Sequence, residues 1–137
     1  MMDHFETNAV APLLLTRTLQ DLLKQGSSTS QPSLVVNIAA GWGSIATNED
    51  SNHIAYRTSK SALHMIGKSL SIDLKSDSIR VVSLHPGWVA TDMGSSGGRE
   101  PPLDVETSVR HMLETISKLE DKSNGMLLNF DGTVIPF

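Results

Sequence analysis

The sequence predicts an α/β fold built on a parallel sheet. Three observations carry that reading. Short apolar, largely β-branched or aliphatic runs occur at residues 34–38, 79–84 and 126–130. Longer amphipathic stretches at helical spacing separate and precede them. The resulting order, α-β-α-β-α-β, is the signature of right-handed βαβ units. In open sheets of this kind ligands bind beyond the carboxyl ends of the strands. The segments that follow Ile38, Leu84 and Phe130 are therefore the places to look for chemistry.

Residues 3–24 are predicted as a helix, with Phe5, Leu13, Leu14, Leu19, Leu22 and Leu23 roughly on one side. Residues 26–33 form a polar loop that ends in Pro32-Ser33. Leu34-Val35-Val36-Asn37-Ile38 reads as a buried strand, and residues 39–53 as the loop after it. Residues 54–76 carry an apolar stripe of Ala55, Ala62, Leu63, Ile66, Leu70 and Leu74, and read as a long helix. A second buried strand follows at 79–84 and is broken by Pro86-Gly87. Residues 94–102, rich in Gly, Ser and Pro, should be a mobile surface loop. Asp104 is placed to cap a third helix, with Val105, Val109, Met112, Leu113, Ile116 and Leu119 inward and Gly125 at its end. A third strand at 126–130 completes the order.

Composition removes several classes of function. The 137 residues fit one ordinary domain. Fifteen acidic residues against eleven Lys and Arg leave a net charge of −4, which argues against nucleic acid or an anionic membrane as the main partner. With no cysteine there is no disulfide, thiol nucleophile or thiolate metal site. The five histidines are scattered without metal-ligand spacing, so no metal is expected. The amino end has no basic region before its apolar stretch, and no run approaches the ~20 apolar residues of a membrane helix. The expectation is a cytoplasmic protein. Gly94-Ser95-Ser96-Gly97-Gly98 fits the hydrolase pattern Gly-x-Ser-x-Gly in letters only. It lacks the strand-to-helix turn that such an elbow requires.

The chemistry centres on the single tyrosine. Tyr56 and Lys60 are four apart on the 54–76 helix and so share a face. A free tyrosine has a pKa near ~10 and is a poor acid or base at neutral pH. A neighbouring ammonium stabilises the phenolate and is expected to lower that value. Such a pair can donate or accept a proton between an alcohol and a carbonyl.

Around this pair the strings Gly43-Ser44-Ile45, Ala55-Tyr56-Arg57-Thr58-Ser59-Lys60-Ser61-Ala62-Leu63, His85-Pro86-Gly87-Trp88-Val89 and Thr91-Asp92-Met93-Gly94 stand in order. Asn129-Phe130-Asp131-Gly132-Thr133 closes the series. Together they resemble the short-chain dehydrogenase/reductase family, and within it the sniffer-like (C-factor-like) carbonyl reductases. The resemblance implies the C-terminal half of a Rossmann-type doubly wound parallel sheet. It implies a carbonyl reductase using NADP, or NAD, on a small-molecule carbonyl substrate. Tyr56 would be the catalytic acid/base. Lys60 would tune it and hold the nicotinamide ribose. Asn8 matches the helix asparagine that holds a proton-relay water near the lysine. Pro86, Gly87, Val89 and Thr91 match the turn that grips the nicotinamide carboxamide. The helices at 3–24 and 54–76 could form a homo-oligomer interface, although such stripes are more often core.

Two departures from the family pattern stand out. Ala40 occupies the position of the serine that polarises the substrate carbonyl. A methyl group donates no hydrogen bond, and losing one such donor typically costs ~10²–10³ in rate. Ser44 matches a different family serine, so it is not expected to substitute. Second, no Gly-rich strand–turn–helix for the pyrophosphate is present. Gly41-Trp42-Gly43 lacks the third glycine. By the resemblance, residues 1–137 are a single partial domain, a fragment without the N-terminal dinucleotide-binding half. The 34–38 strand should then present an exposed apolar edge, and the chain should be poorly soluble or associate with itself or a complementary fragment. A non-catalytic fragment or pseudoenzyme that works through protein interaction is the alternative.

Overall fold

The computed structural model describes all residues 1–137. Strands β1 (Ser33–Ile38), β2 (Ile79–His85) and β3 (Leu127–Asn129) form one sheet in the order β1-β2-β3. Both pairings are parallel. Ile38 lies opposite Leu84, and His85 opposite Asn129, so the three carboxyl ends open on one side. The helical segments are α1 (Met2–Phe5), α2 (Ala11–Thr18), α3 (Gln20–Gln25), α4 (Ile54–Asp73) and α5 (Val105–Ser117). The predicted α/β order is observed. No helix is long and apolar enough to cross a membrane.

α4 packs along the sheet. Its far half, Leu70 and Leu74, closes on Ile79 and Val81, with Leu13, Leu23, Val35 and Ile66 around them. Nearer the carboxyl ends, Leu63 meets Ala39 and Leu127 beneath Ile135. β2 is central, and Val81, Val82 and Leu84 are fully buried. β1 is less covered than predicted. Leu34, Val35 and Val36 are half-buried and Ile38 is exposed, because β1 has a partner along one edge only. Its other edge is the unpaired apolar one that the sequence implied.

Three further differences concern the helices. The 3–24 helix is interrupted by a π turn at Glu6–Val10 and a break at Leu19. Pro12 has no N–H to offer the carbonyl of Asn8 four residues back, which disrupts the α pattern at that turn. Leu14, Leu19 and Leu22 face outward, while Phe5, Leu13 and Leu23 are half-buried. On α5 the buried residues are Ser108 and Thr115, whereas Val105, Val109 and Leu113 are exposed. The inward face is held by hydroxyls: Ser108 donates to the Pro86 carbonyl at 2.7 Å and Thr115 to the Phe130 carbonyl at 2.8 Å. Asp104 does cap α5, accepting from the Thr107 N–H at 2.7 Å. The helix nevertheless ends at Ser117, and a short 3-10 turn, Asp121–Ser123, separates it from Gly125.

Candidate active site

α4 begins just past His53, which has a left-handed backbone at φ 55°. Tyr56 therefore lies in the first turn and Lys60 one turn later, both directed by the helix toward the carboxyl end of β1. The Lys60 ammonium donates to the Ile38 carbonyl at 2.9 Å, the last carbonyl of β1. Its Nζ lies 5.8 Å from the Tyr56 ring centre. Burial pushes the Tyr56 phenol above its ordinary value and pulls the Lys60 ammonium below its own. The expected lowering of the tyrosine by its neighbour is thus not what the structure shows. Desolvation is the cause of the rise, and the Lys60 ammonium stands 5.8 Å from the ring centre rather than against the phenol.

The π turn brings Asn8 to α4. Its side-chain amide donates to Ser59 Oγ at 3.0 Å, and Ser59 Oγ donates in turn to the Tyr56 carbonyl at 2.8 Å. Asn8 is thus linked to the tyrosine's own turn through Ser59. Sequence reasoning missed Ser59; the only signal was its position one residue before Lys60 on the face that meets Asn8. His4 approaches Tyr56 edge-on, with ring centres 6.2 Å apart.

Beyond β1 the chain makes a tight 3-10 turn, Gly41–Gly43. Ala40, buried at its start, presents a methyl group. Ser44 is buried too, and its hydroxyl donates to the Pro136 carbonyl while accepting from the Thr47 N–H at 3.1 Å. These bonds tie the turn after β1 to the Pro136 carbonyl and to Thr47.

The end of β2 lies beside this turn. Ala39 N–H donates to the Leu84 carbonyl at 2.8 Å, and a side chain at Gly41 would meet the His85 ring at 3.4 Å. Pro86 and Gly87 follow, with Gly87 at φ 86° and no room for a Cβ against Leu103 and Phe130. Val89 bridges Leu103, and Thr91 Oγ1 accepts from the Gly94 N–H at 3.1 Å. Trp88 is half-exposed, its indole N–H donating to the Gly94 carbonyl at 3.0 Å. The string 86–91 and the Tyr56–Lys60 pair are therefore carried at the same end of the sheet. Residues 94–102 are an exposed, turn-rich loop and form no elbow.

Beneath α4 lies a group of buried nitrogens without hydrogen-bond partners: Asn37 Nδ2, both ring nitrogens of His64, and His85 Nδ1. Burial lowers the His64 pKa to about 4 and lowers His85 as well.

A family model described as short chain dehydrogenase matches residues 1–101. The chain is 38% identical over 133 residues to C-signal of Myxococcus xanthus, covering 97% of this chain and 76% of that protein. Among solved structures it is similar to the carbonyl reductase Sniffer of D. melanogaster. That match has 45% identity and a TM-score of 0.94, over the whole of this chain and 57% of the other. It is also similar to an NADPH-bound carbonyl reductase from chicken fatty liver, at 37% identity and a TM-score of 0.87, over 97% of this chain and 55% of that one. The chain thus spans a little over half the length of these two reductases.

Proposed function

The chain belongs to the short-chain dehydrogenase family, and from that premise we propose that it serves the reduction of a small-molecule carbonyl, with NADP as cofactor and Tyr56 as proton donor. The observation that supports this most is the Tyr56–Lys60 pair at the carboxyl end of a parallel sheet, its lysine anchored on Ile38. A phenol whose pKa is raised by burial holds its proton at neutral pH, which suits a donor to a carbonyl oxygen. Lys60, one turn along the same helix face, would tune that phenol and hold the nicotinamide ribose. The Asn8 amide is engaged with Ser59, so a relay water would rest on its oxygen atoms. Pro86, Gly87, Val89 and Thr91 would hold the carboxamide.

The residues present suit one end of such a cofactor. The cradle at Gly87, which no side chain could enter, and the Lys60 ammonium fit the nicotinamide and its ribose. No Gly-rich turn among the 137 residues fits the pyrophosphate. When bound, the nicotinamide supplies a hydride. The exposed Leu14, Leu15, Leu22, Met65 and Ile72 support self-association through the helices of residues 3–24 and 54–76.

NADPH fluorescence titration of the chain, with reduction of a model ketone, tests the reading. Tyr56→Phe is expected to lower turnover by ~10²–10⁴ while leaving NADPH affinity and melting temperature nearly unchanged. Ala40→Ser restores a donor beside a developing oxyanion and is expected to raise turnover by up to ~10². An unchanged rate would mean another group polarises the carbonyl. The methyl at Ala40 favours a second reading, a non-catalytic member acting through protein contacts. A folded chain that binds no NADPH would establish it over the first.

A further inference from the structure

Trp42 sits in the 3-10 turn after β1 and belongs to neither apolar core. Its side chain is nevertheless clamped. The His53 ring stacks on it at 5.1 Å with planes 23° apart. The Arg57 guanidinium lies 4.8 Å from the indole centre. Arg57 is itself buried and tied down, paired with Asp50 at 2.6 Å and donating to the Asn52 carbonyl at 2.8 Å. It also donates to the Trp42 carbonyl at 3.4 Å. His53 holds a left-handed backbone conformation that a non-glycine residue seldom adopts, and such strain persists where surrounding contacts impose it.

These restraints do not bury the indole, which remains 43% exposed. They fix it edge-on to Tyr56, with ring centres 6.3 Å apart at 81°. His4 meets the same tyrosine edge-on from its own element, α1. A large apolar side chain held rigid yet open beside the candidate acid is built as a contact surface, because rigid aromatic rings give contact area at little entropic loss.

We propose that Trp42 is a specificity-determining residue that favours substrates whose carbonyl is attached to an aromatic ring, with His53 and Arg57 as its positioning residues. This rests on the carbonyl-reduction reading and adds the substrate class. An aryl group placed beside Tyr56 meets the open part of the indole in the edge-to-face manner that the Tyr56 ring already adopts toward it. A saturated ring of similar size loses that aromatic contribution.

Acetophenone and cyclohexyl methyl ketone are matched probes, and their binding to the full chain and to its variants can be followed on the ketone's own NMR signals. Acetophenone is expected to bind about tenfold more tightly, the size that an aromatic pair supplies. Trp42→Leu keeps apolar bulk without the ring and should erase the preference, while Trp42→Phe should restore part of it. Equal affinity for the two ketones, or a preference that survives Trp42→Leu, overturns the inference and leaves carbonyl reduction standing. If neither ketone binds, the inference fails, and NADPH titration with ketone turnover decides the carbonyl-reduction reading separately.

Discussion

Acidification from neutral pH to about pH 4 is expected to weaken the fold by about 3 kcal/mol, and His64→Leu is expected to remove most of that loss. His64 is 2% exposed, packs edge-on against Phe137, and has no hydrogen-bond partner on either nitrogen. Burial, opposed in part by the nearby Gly43 backbone and aided to a smaller degree by Lys60 and His85, takes its pKa from 6.5 to about 4. The unfolded chain therefore takes up a proton near pH 6.5, and the folded chain only near pH 4. Stability is complete above the first value and declines as the pH falls toward the second. The full difference of about 2.5 pH units at ~1.4 kcal/mol each is worth ~3.5 kcal/mol, of which about 3 kcal/mol is lost by pH 4, where the folded imidazole is half protonated. His85 is lowered by burial as well and adds a loss of the same sign. Asp77, Asp104 and Asp131, whose carboxyls are lowered by hydrogen bonds, act in the lower range where free carboxylates titrate. Urea unfolding at several values between pH 7 and pH 4 separates the contributions. Parallel pH slopes for the wild type and His64→Leu would refute the assignment.

Gly43→Ala is expected to cost about 1–3 kcal/mol and to loosen the turn that carries Trp42. A Cβ there would lie 2.7 Å from the Lys60 carbonyl carbon, the Lys60 Cβ and His64 Cε1. Two of these atoms are fixed by the α4 backbone and cannot swing aside. The turn would have to lift, breaking the bond from Ser61 Oγ to the Gly43 carbonyl at 2.6 Å. Gly41→Ala is the matched control. Its nearest neighbour would be His85 Cδ2 at 3.4 Å, an ordinary contact, so its effect should be small. Thermal unfolding and the Trp42 indole resonance report both effects. Equal losses for the two variants would show that the close approach to α4 is not what requires glycine at 43. As sequence, Gly41-Trp42-Gly43 resembled an incomplete phosphate loop. In three dimensions its second glycine is the point where a loop touches a helix.

Several features were legible because they are local. Strand and helix order follows from periodicity. The Asp104 cap follows from residue type beside an apolar run. The shared face of Tyr56 and Lys60 follows from helical spacing. The rest depends on what lies across the fold. Periodicity marked a stripe on α5 but not its environment. Val105, Val109 and Leu113 are exposed, while Ser108 and Thr115 turn inward to the carbonyls of Pro86 and Phe130. The direction of the Tyr56 shift depends on burial, and Lys60 is held by Ile38, a partner 22 residues away in sequence. Asn8 finds Ser59 across 51 residues. Trp42 is oriented by His53 and Arg57, which reach it only because α4 starts where it does. The sequence by itself determined the order of strands and helices and the shared face of Tyr56 and Lys60, since those rest on backbone preferences and fixed spacings. Only the tertiary structure decided which faces are covered and what each polar group bonds, because burial and hydrogen-bond partners are set by contacts between residues far apart in the chain.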